Sequence, residues 1–232
     1  MKAFLSVKDF PDDKFIVMVT KFGVIKKSQL SDFDNIMTRG IIAIGIDEGD
    51  ELIVARLTSG SEYIFLGSHD GQAIRFRESD VRPMGRNAAG VRGMQLGADA
   101  AVVAVDVVTP DTTLLAVAEK GYGKRTALDE YRLTGRGGKG IITMNVTDRV
   151  GRVVGVRMVR DADHVMLITD GGKVIRMPVR DISVIGRNTQ GVRLIDLAEG
   201  EKVVGVACVA ETEGDDAAGG KDSEPAPDEP AA

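Results

Sequence analysis

Arginine, lysine and glycine are the residues of this chain whose spacing suggests chemistry, and they are densest between Tyr131 and Gly140. That stretch, Tyr131-Arg132-Leu133-Thr134-Gly135-Arg136-Gly137-Gly138-Lys139-Gly140, holds four glycines and three cations and runs straight into Ile141-Ile142-Thr143-Met144. Glycine lets backbone N–H groups approach a partner closely, while guanidinium and ammonium groups supply counter-charge for phosphate. Such a loop is built to hold an anion. Residues suited to covalent or metal chemistry are scattered instead. His69 and His164 have no cysteine or carboxylate at ligand spacing and are expected, partly exposed, at strand ends, so no metal site is predicted. The single cysteine, Cys208, sits in an apolar run and reads as a small buried hydrophobe. Tyr63, Tyr122 and Tyr131 read as packing residues. No glycine loop leads into a helix as a nucleotide site requires. Neither a catalytic residue nor a cofactor is predicted.

The basic loop belongs to a series. A glycine four residues before a basic position recurs at Gly23, Gly71, Gly121 and Gly172, with Lys27, Arg75, Arg125 and Arg176 as the partners. A second glycine, before an apolar pair or an apolar-basic pair, recurs at Gly40, Gly90, Gly140 and Gly191, and an apolar run begins at Leu52, Val102, Val153 and Val203. All three landmarks keep spacings of 48 to 51 residues. A fixed period of this size is the mark of a repeat architecture. Before the second glycine the repeats read Gly85-Arg86-Asn87-Ala88-Ala89-Gly90, Gly135 to Gly140, and Gly186-Arg187-Asn188-Thr189-Gln190-Gly191, with a degenerate Ile36-Met37-Thr38-Arg39-Gly40 in the first.

Within each repeat the elements that must position these loops read as strands. Runs such as Tyr63-Ile64-Phe65-Leu66 and Val165-Met166-Leu167-Ile168 lead into Asp70-Gly71 and Asp170-Gly171-Gly172, and aspartate-glycine between apolar runs signals a hairpin. The return strand alternates, with Pro178 marking an end or an edge in the last repeat. No 3.6-residue periodicity persists beyond about two turns, so helix content is predicted to be low. Four strands per repeat predict an all-β, propeller-like ring of four-stranded blades. The repeats are expected at about 11–62, 63–112, 113–163 and 164–210, and residues 1–10 align with a fourth strand, as part of a preceding or swapped blade. From Glu211 to Ala232 the chain has eight acids, one lysine and no large apolar residue, which predicts a disordered acidic tail.

Charge follows the repeat phase. The chain is −5 overall, the tail alone is −7, and residues 1–210 are therefore +2. The windows 21–43, 71–93, 121–143 and 172–194 carry +2, +3, +3 and +4, which leaves −10 on the remaining 118 residues before the tail. Equivalent phases of stacked repeats share one side, so the sequence predicts a basic belt, the footprint of a polyanion. The apolar fraction of 43% is ordinary for a globular chain, no apolar run approaches 18 residues, and the first residues are too charged for a signal peptide. A cytoplasmic, nucleoid-associated protein is expected, with no membrane partner.

The period, together with Thr134-Gly135-Arg136-Gly137-Gly138-Lys139-Gly140, Gly186-Arg187-Asn188-Thr189-Gln190-Gly191-Val192 and Gly121-Tyr122-Gly123-Lys124-Arg125-Thr126, resembles the carboxy-terminal domain of the bacterial DNA gyrase A protein. The resemblance covers residues 1 to about 210. It implies a β-pinwheel with strands swapped between neighbouring blades and duplex DNA wrapped on a basic rim. It also implies partnership with the amino-terminal breakage-reunion domain of gyrase A and with the gyrase B protein in ATP-dependent supercoiling. The swapped strand would account for the extra amino-terminal one. The family's defining box, Gln-Arg-Arg-Gly-Gly-Lys-Gly, is matched at five of seven positions by residues 134–140. That box belongs to the first of usually six blades, so this chain resembles the last four, with the box itself expected upstream. The related domain of topoisomerase IV and a protein-binding propeller are the alternatives.

The candidate DNA contacts are Lys26, Lys27 and Arg39 in the first repeat and Arg75, Arg86 and Arg92 in the second. The third supplies Lys124, Arg125, Arg136, Gly137, Gly138 and Lys139, and the fourth Arg176, Arg187 and Arg193. No base-reading helix is predicted, so contacts are expected to go to phosphates.

Overall fold

Period-two alternation inside the apolar runs, not helical periodicity, governs the local structure. The computed structural model describes residues 5–35 and 40–210. The first repeat forms β1 (Phe15–Thr20), β2 (Val24–Gln29) and β3 (Leu52–Thr58). The second forms β4 (Tyr63–Ser68), β5 (Gln72–Arg77), β6 (Val91–Arg92) and β7 (Val102–Val107). The third forms β8 (Thr113–Ala118), β9 (Tyr122–Ala127), β10 (Ile141–Ile142) and β11 (Val153–Val159). The fourth forms β12 (His164–Thr169), β13 (Val174–Pro178), β14 (Val192–Arg193) and β15 (Val203–Val209). Helix among the described residues is limited to short 3-10 turns after each second strand, at Leu30–Phe33, Glu78–Asp80, Leu128–Glu130 and Val179–Asp181.

The strands make four antiparallel sheets in the orders β3-β1-β2-β6, β10-β5-β4-β7, β11-β8-β9-β14 and β13-β12-β15. Each of the first three blades therefore completes itself with the short third strand of the next repeat. Val24 and Ile25 pair with Arg92 and Val91, Ala73 and Gln72 with Ile141 and Ile142, and Gly123 and Tyr122 with Val192 and Arg193. This corrects the expectation about swapping. The exchanged strand is the two-residue third one, and the long fourth strand stays in its own blade. Residues 5–10 accordingly form no strand, because β1 is already paired on both edges by β2 and β3. Residues 1–4 and the tail 211–232 lie outside the described residues.

Three apolar cores sit between blades, not within them. On β4, Ile64 and Leu66 join Val17, Val19 and Ile25 of the first blade, while Phe65 points the other way to Leu114 and Ala116 of the third. On β8 the next step repeats: Leu115 and Val117 join Val165 and Leu167 of the fourth blade. Alternate side chains of one strand thus feed two cores, as the pleat requires. The fourth strands β3, β7, β11 and β15 pack side by side in chain order. Among the described residues no further blade packs on the fourth. Ile168, Val174 and Val204 are exposed there, and so is Cys208, which corrects its expected burial.

Candidate nucleic-acid interface

The sheet orders translate repeat phase into position. Each basic window contains a second strand and the following loop, and the windows of the last three repeats also contain a short third strand; these lie on the side of the sheet opposite the packed fourth strands. The excess cations therefore lie along one side of the row of blades. Which of them face outward is a separate matter.

The second strands spend their cations on the protein itself. Lys27, Arg75 and Arg125 occupy one register and each reaches the turn of the next blade. The Lys27 ammonium donates to the Glu78 carbonyl at 3.2 Å and lies 3.6 Å from the buried Glu78 carboxylate. The Arg75 guanidinium donates to the Leu128 carbonyl at 3.1 Å and stacks 5.0 Å from the Tyr63 ring. Arg125 donates to the Ile182 carbonyl at 2.8 Å and pairs with Asp161. Lys27 and Arg125 are buried, and Arg75 is half-buried. In the fourth blade Arg176 is exposed.

One residue earlier the strand faces the other way, and Lys26 and Lys124 are fully buried. The Lys124 ammonium donates to the Gly186 carbonyl at 2.7 Å, to the Arg187 carbonyl, and to Thr189 Oγ1 at 3.0 Å. Lys26 donates to the Ala43 carbonyl at 2.7 Å and to the Arg86 carbonyl. Ser28 and Thr126, on the same faces, donate to the Met84 and Ile185 carbonyls. Burial holds the Lys124 ammonium down to about 8 against the pull of Glu130, and lowers Lys26 as well. Lys26, Lys27, Lys124 and Arg125 are thus withdrawn from the set of phosphate contacts. A cation enclosed by carbonyls under a neighbouring loop has no path to a duplex.

The loops themselves provide the outward charge. Arg92, Arg136, Lys139 and Arg193 are exposed, Arg86 and Arg187 half-exposed, and Arg39 lies outside the described residues. The loops also grip one another. Arg136 donates to the Asp80 carbonyl at 2.9 Å and to the Arg92 carbonyl at 3.1 Å, and Arg187 donates to the Ile142 carbonyl at 3.0 Å. Arg92 and Ile142 hold the same place in successive repeats, so each loop arginine holds the short strand of the preceding one. Backbone bonds repeat the pattern: Gly45, Gln95 and Asn145 donate N–H to the Ala88, Gly138 and Thr189 carbonyls. The loops form one continuous edge.

Its glycines serve contact between blades. At Gly140, φ is +80° and a Cβ would stand 2.2 Å from the Ala73 carbonyl oxygen, so only glycine lets β10 close on β5. Gly137, also at φ +80°, donates its N–H to the Gly93 carbonyl at 2.7 Å, while Gly138 lies over the Ile74 side chain. Tyr131 anchors the loop's start, buried edge-on to Phe65 at 5.2 Å with its hydroxyl 2.6 Å from Thr143 Oγ1. Under this loop is a cavity of about 270 Å³ lined by Ile74, Arg75, Tyr131 and Thr134.

A family model described as DNA gyrase C-terminal domain, beta-propeller, matches residues 14–59, 62–109, 112–160 and 163–210, one match for each blade. The chain belongs to this family. The A subunit of DNA gyrase from Salmonella typhimurium (strain LT2) is 46% identical over 209 residues, which cover 90% of this chain and 24% of that protein. The chain thus spans about a quarter of the length of that curated relative. Among solved structures, a C-terminal domain of DNA topoisomerase IV superposes with a TM-score of 0.84 at 26% identity, covering 88% of this chain and 64% of that one. A DNA gyrase A C-terminal domain superposes with a TM-score of 0.80 at 28% identity, covering 89% of this chain and 69% of that one.

For this gyrase C-terminal domain, counting cations by phase located the side of the sheets where they collect but did not separate the inward-facing members. The signal that could have separated them is the residue three after each first glycine: Lys26, Ile74, Lys124 and Ile175. An apolar residue at that position in two repeats marks it as internal. Sequence reasoning also missed Arg149, whose guanidinium lies 5.2 Å from the Tyr122 ring centroid. No helix among the described residues is long and apolar enough to cross a membrane.

Proposed function

We propose that this domain binds and bends duplex DNA along its loop edge through phosphate contacts. In this reading it serves a gyrase holoenzyme, with the breakage-reunion domain of gyrase A and with the gyrase B protein, during ATP-dependent supercoiling in the cytoplasm. The chain itself carries the binding and not the chemistry. The observation that carries the reading is the continuous edge on which Arg86, Arg92, Arg136, Lys139, Arg187 and Arg193 succeed one another along interlocked loops. Phosphates are spaced regularly and identically along a duplex, so a regular row of cations recognises the backbone and not the sequence. Bending a site of 20–30 base pairs costs on the order of 1–6 kcal/mol, which is why several blades have to engage at once. The 46% identity to a gyrase A protein favours gyrase over topoisomerase IV.

The test is the salt dependence of duplex binding. Affinity should fall with a slope of roughly −0.9 per phosphate neutralised on a log–log plot. Arg136→Glu with Lys139→Glu should flatten that slope by about two contacts, whereas a slope near zero in the unaltered chain would sink the proposal.

A further inference from the structure

The junction of the third and fourth blades holds a cleft of about 590 Å³ whose chemistry is not repeated at the other junctions. At its centre is Tyr122. Its hydroxyl accepts from Arg149 Nε at 3.2 Å and from an Arg193 terminal nitrogen at 3.3 Å, and both guanidiniums lie against its ring. A phenol oxygen has two lone pairs and one proton. With both lone pairs engaged by guanidiniums, the O–H is left to donate into the cleft. The hydrogen bonds from Arg193 and Arg149 hold the phenol below its ordinary range.

The remaining lining supports an anion. Lys120 and Lys202 also face the cleft. Its two carboxylates are already engaged: Asp196 pairs with Arg193 at 2.9 Å, and Glu201 is held by Lys173 at 3.1 Å, Thr169 and the Ala198 N–H. Arg149 is exposed and forms no ion pair among the described residues. The Tyr122 O–H and the terminal nitrogens of the exposed Arg149 guanidinium converge on one space, flanked by Lys120, which also donates to the Asp148 carbonyl, and Lys202, 3.8 Å from the Glu119 carboxylate. Equivalent positions in the second repeat are Gln72 for Tyr122, which removes the phenol, and Asp99 for Arg149, which reverses the charge.

We propose that this cleft is a phosphate-binding site, taking a phosphate oxyanion between the Tyr122 hydroxyl, the Arg149 guanidinium and the flanking lysines. Because Arg193 belongs to the loop edge, the site lies where a duplex leaving the fourth blade would pass. If the occupant is a backbone phosphate, the site deepens the DNA-binding reading. If it is a free phosphate, the site stands apart from that reading.

Two variants of the full chain test this: Arg149→Gln, at an exposed position, and Tyr122→Phe, which keeps the ring. Titration with inorganic phosphate should shift the Arg149 Nε–H resonance in the unaltered chain at millimolar concentrations and leave Tyr122→Phe at least fivefold weaker. In parallel, each variant should weaken duplex binding about three- to tenfold at low salt, and Arg149→Gln should also reduce the salt slope by about one. A phosphate response with unchanged duplex affinity in both variants would assign the site to a free phosphate. A phosphate response in a chain that fails to bind duplex at all would support the cleft while overturning the DNA reading. Absence of a phosphate response together with unchanged duplex affinity would overturn the proposal.

Discussion

The loop Gly186–Gly191 and the loop Gly135–Gly140 occupy the same place in successive repeats, and the arginine of each, Arg187 and Arg136, reaches the preceding short strand, yet only the first also has an inner latch. The first is fastened from inside, with the buried Lys124 ammonium on the Gly186 and Arg187 carbonyls and Thr126 on the Ile185 carbonyl. The second rests on Ile74 over a cavity of about 270 Å³ and is fastened from outside, by its own Arg136 reaching the Asp80 and Arg92 carbonyls. The first blade follows the third, with Lys26 and Ser28 under the loop of the second repeat. The two arrangements teach that a cation's place in the repeat does not fix its task. A latched loop has surrendered its lysine to structure. The unlatched loop keeps both Arg136 and Lys139 exposed, at the cost of a less filled interior beneath it.

Removing the latch should give the largest effect. Lys124→Met keeps most of the stem but abandons three oxygen acceptors, each worth roughly 1–3 kcal/mol if left buried without a donor. Water reaches some of them once the loop loosens, so we expect a loss of about 2–3 kcal/mol in urea unfolding. Faster amide exchange confined to residues 186–191 should accompany it. An unchanged exchange pattern would show that the inner latch does not hold the loop.

Adding a latch should act less strongly and in the other direction. Ile74→Lys would place an ammonium where the register puts the Gly135 and Arg136 carbonyls within reach, while the aliphatic stem continues to pack. Amides of residues 136–140 should become about tenfold better protected, or about 1.4 kcal/mol locally, with global stability nearly unchanged. Equal protection in both chains would mean that the outer Arg136 contacts already suffice.

The smallest effect should come from pH. Lys124 is held near 8 in the folded chain, below its ordinary value of 10.5. Between those values the unfolded chain binds more protons, so this residue's contribution to stability rises with pH across the window and declines again as pH falls toward 8. The difference in stability between the unaltered chain and Lys124→Met should therefore widen from pH 8 to 9, by about 1 kcal/mol. A constant difference would place the Lys124 titration outside the window.

Much of this molecule was legible from its residues because the information is local or periodic. Aspartate-glycine turns between apolar runs located the hairpins, alternation along Tyr63-Ile64-Phe65-Leu66 indicated a strand with two apolar faces, and the 48- to 51-residue spacing fixed the repeat. The phase of the charge placed the basic edge. The repeat alignment offered exchange of a fourth strand as one of two explanations for residues 1–10, whereas the strands exchanged among the described residues are the short third ones. A two-residue strand such as Ile141–Ile142 carries too little pattern to announce its partner, which is Ala73 and Gln72 in another repeat.

The sequence by itself determined the repeat, the all-β architecture, the family and the side of each sheet on which cations collect. These follow from spacing and alternation, which each segment carries within itself. Only the tertiary structure decided which cations face outward. Lys124 and Arg125 are neighbours of the same charge, and the pleat sends one to the Gly186 and Arg187 carbonyls and the other to Ile182 and Asp161. The carbonyl partners come from the next repeat, about 60 residues on. Burial of a charge is tolerated only where such partners surround it, and that enclosure exists only once the blades are assembled.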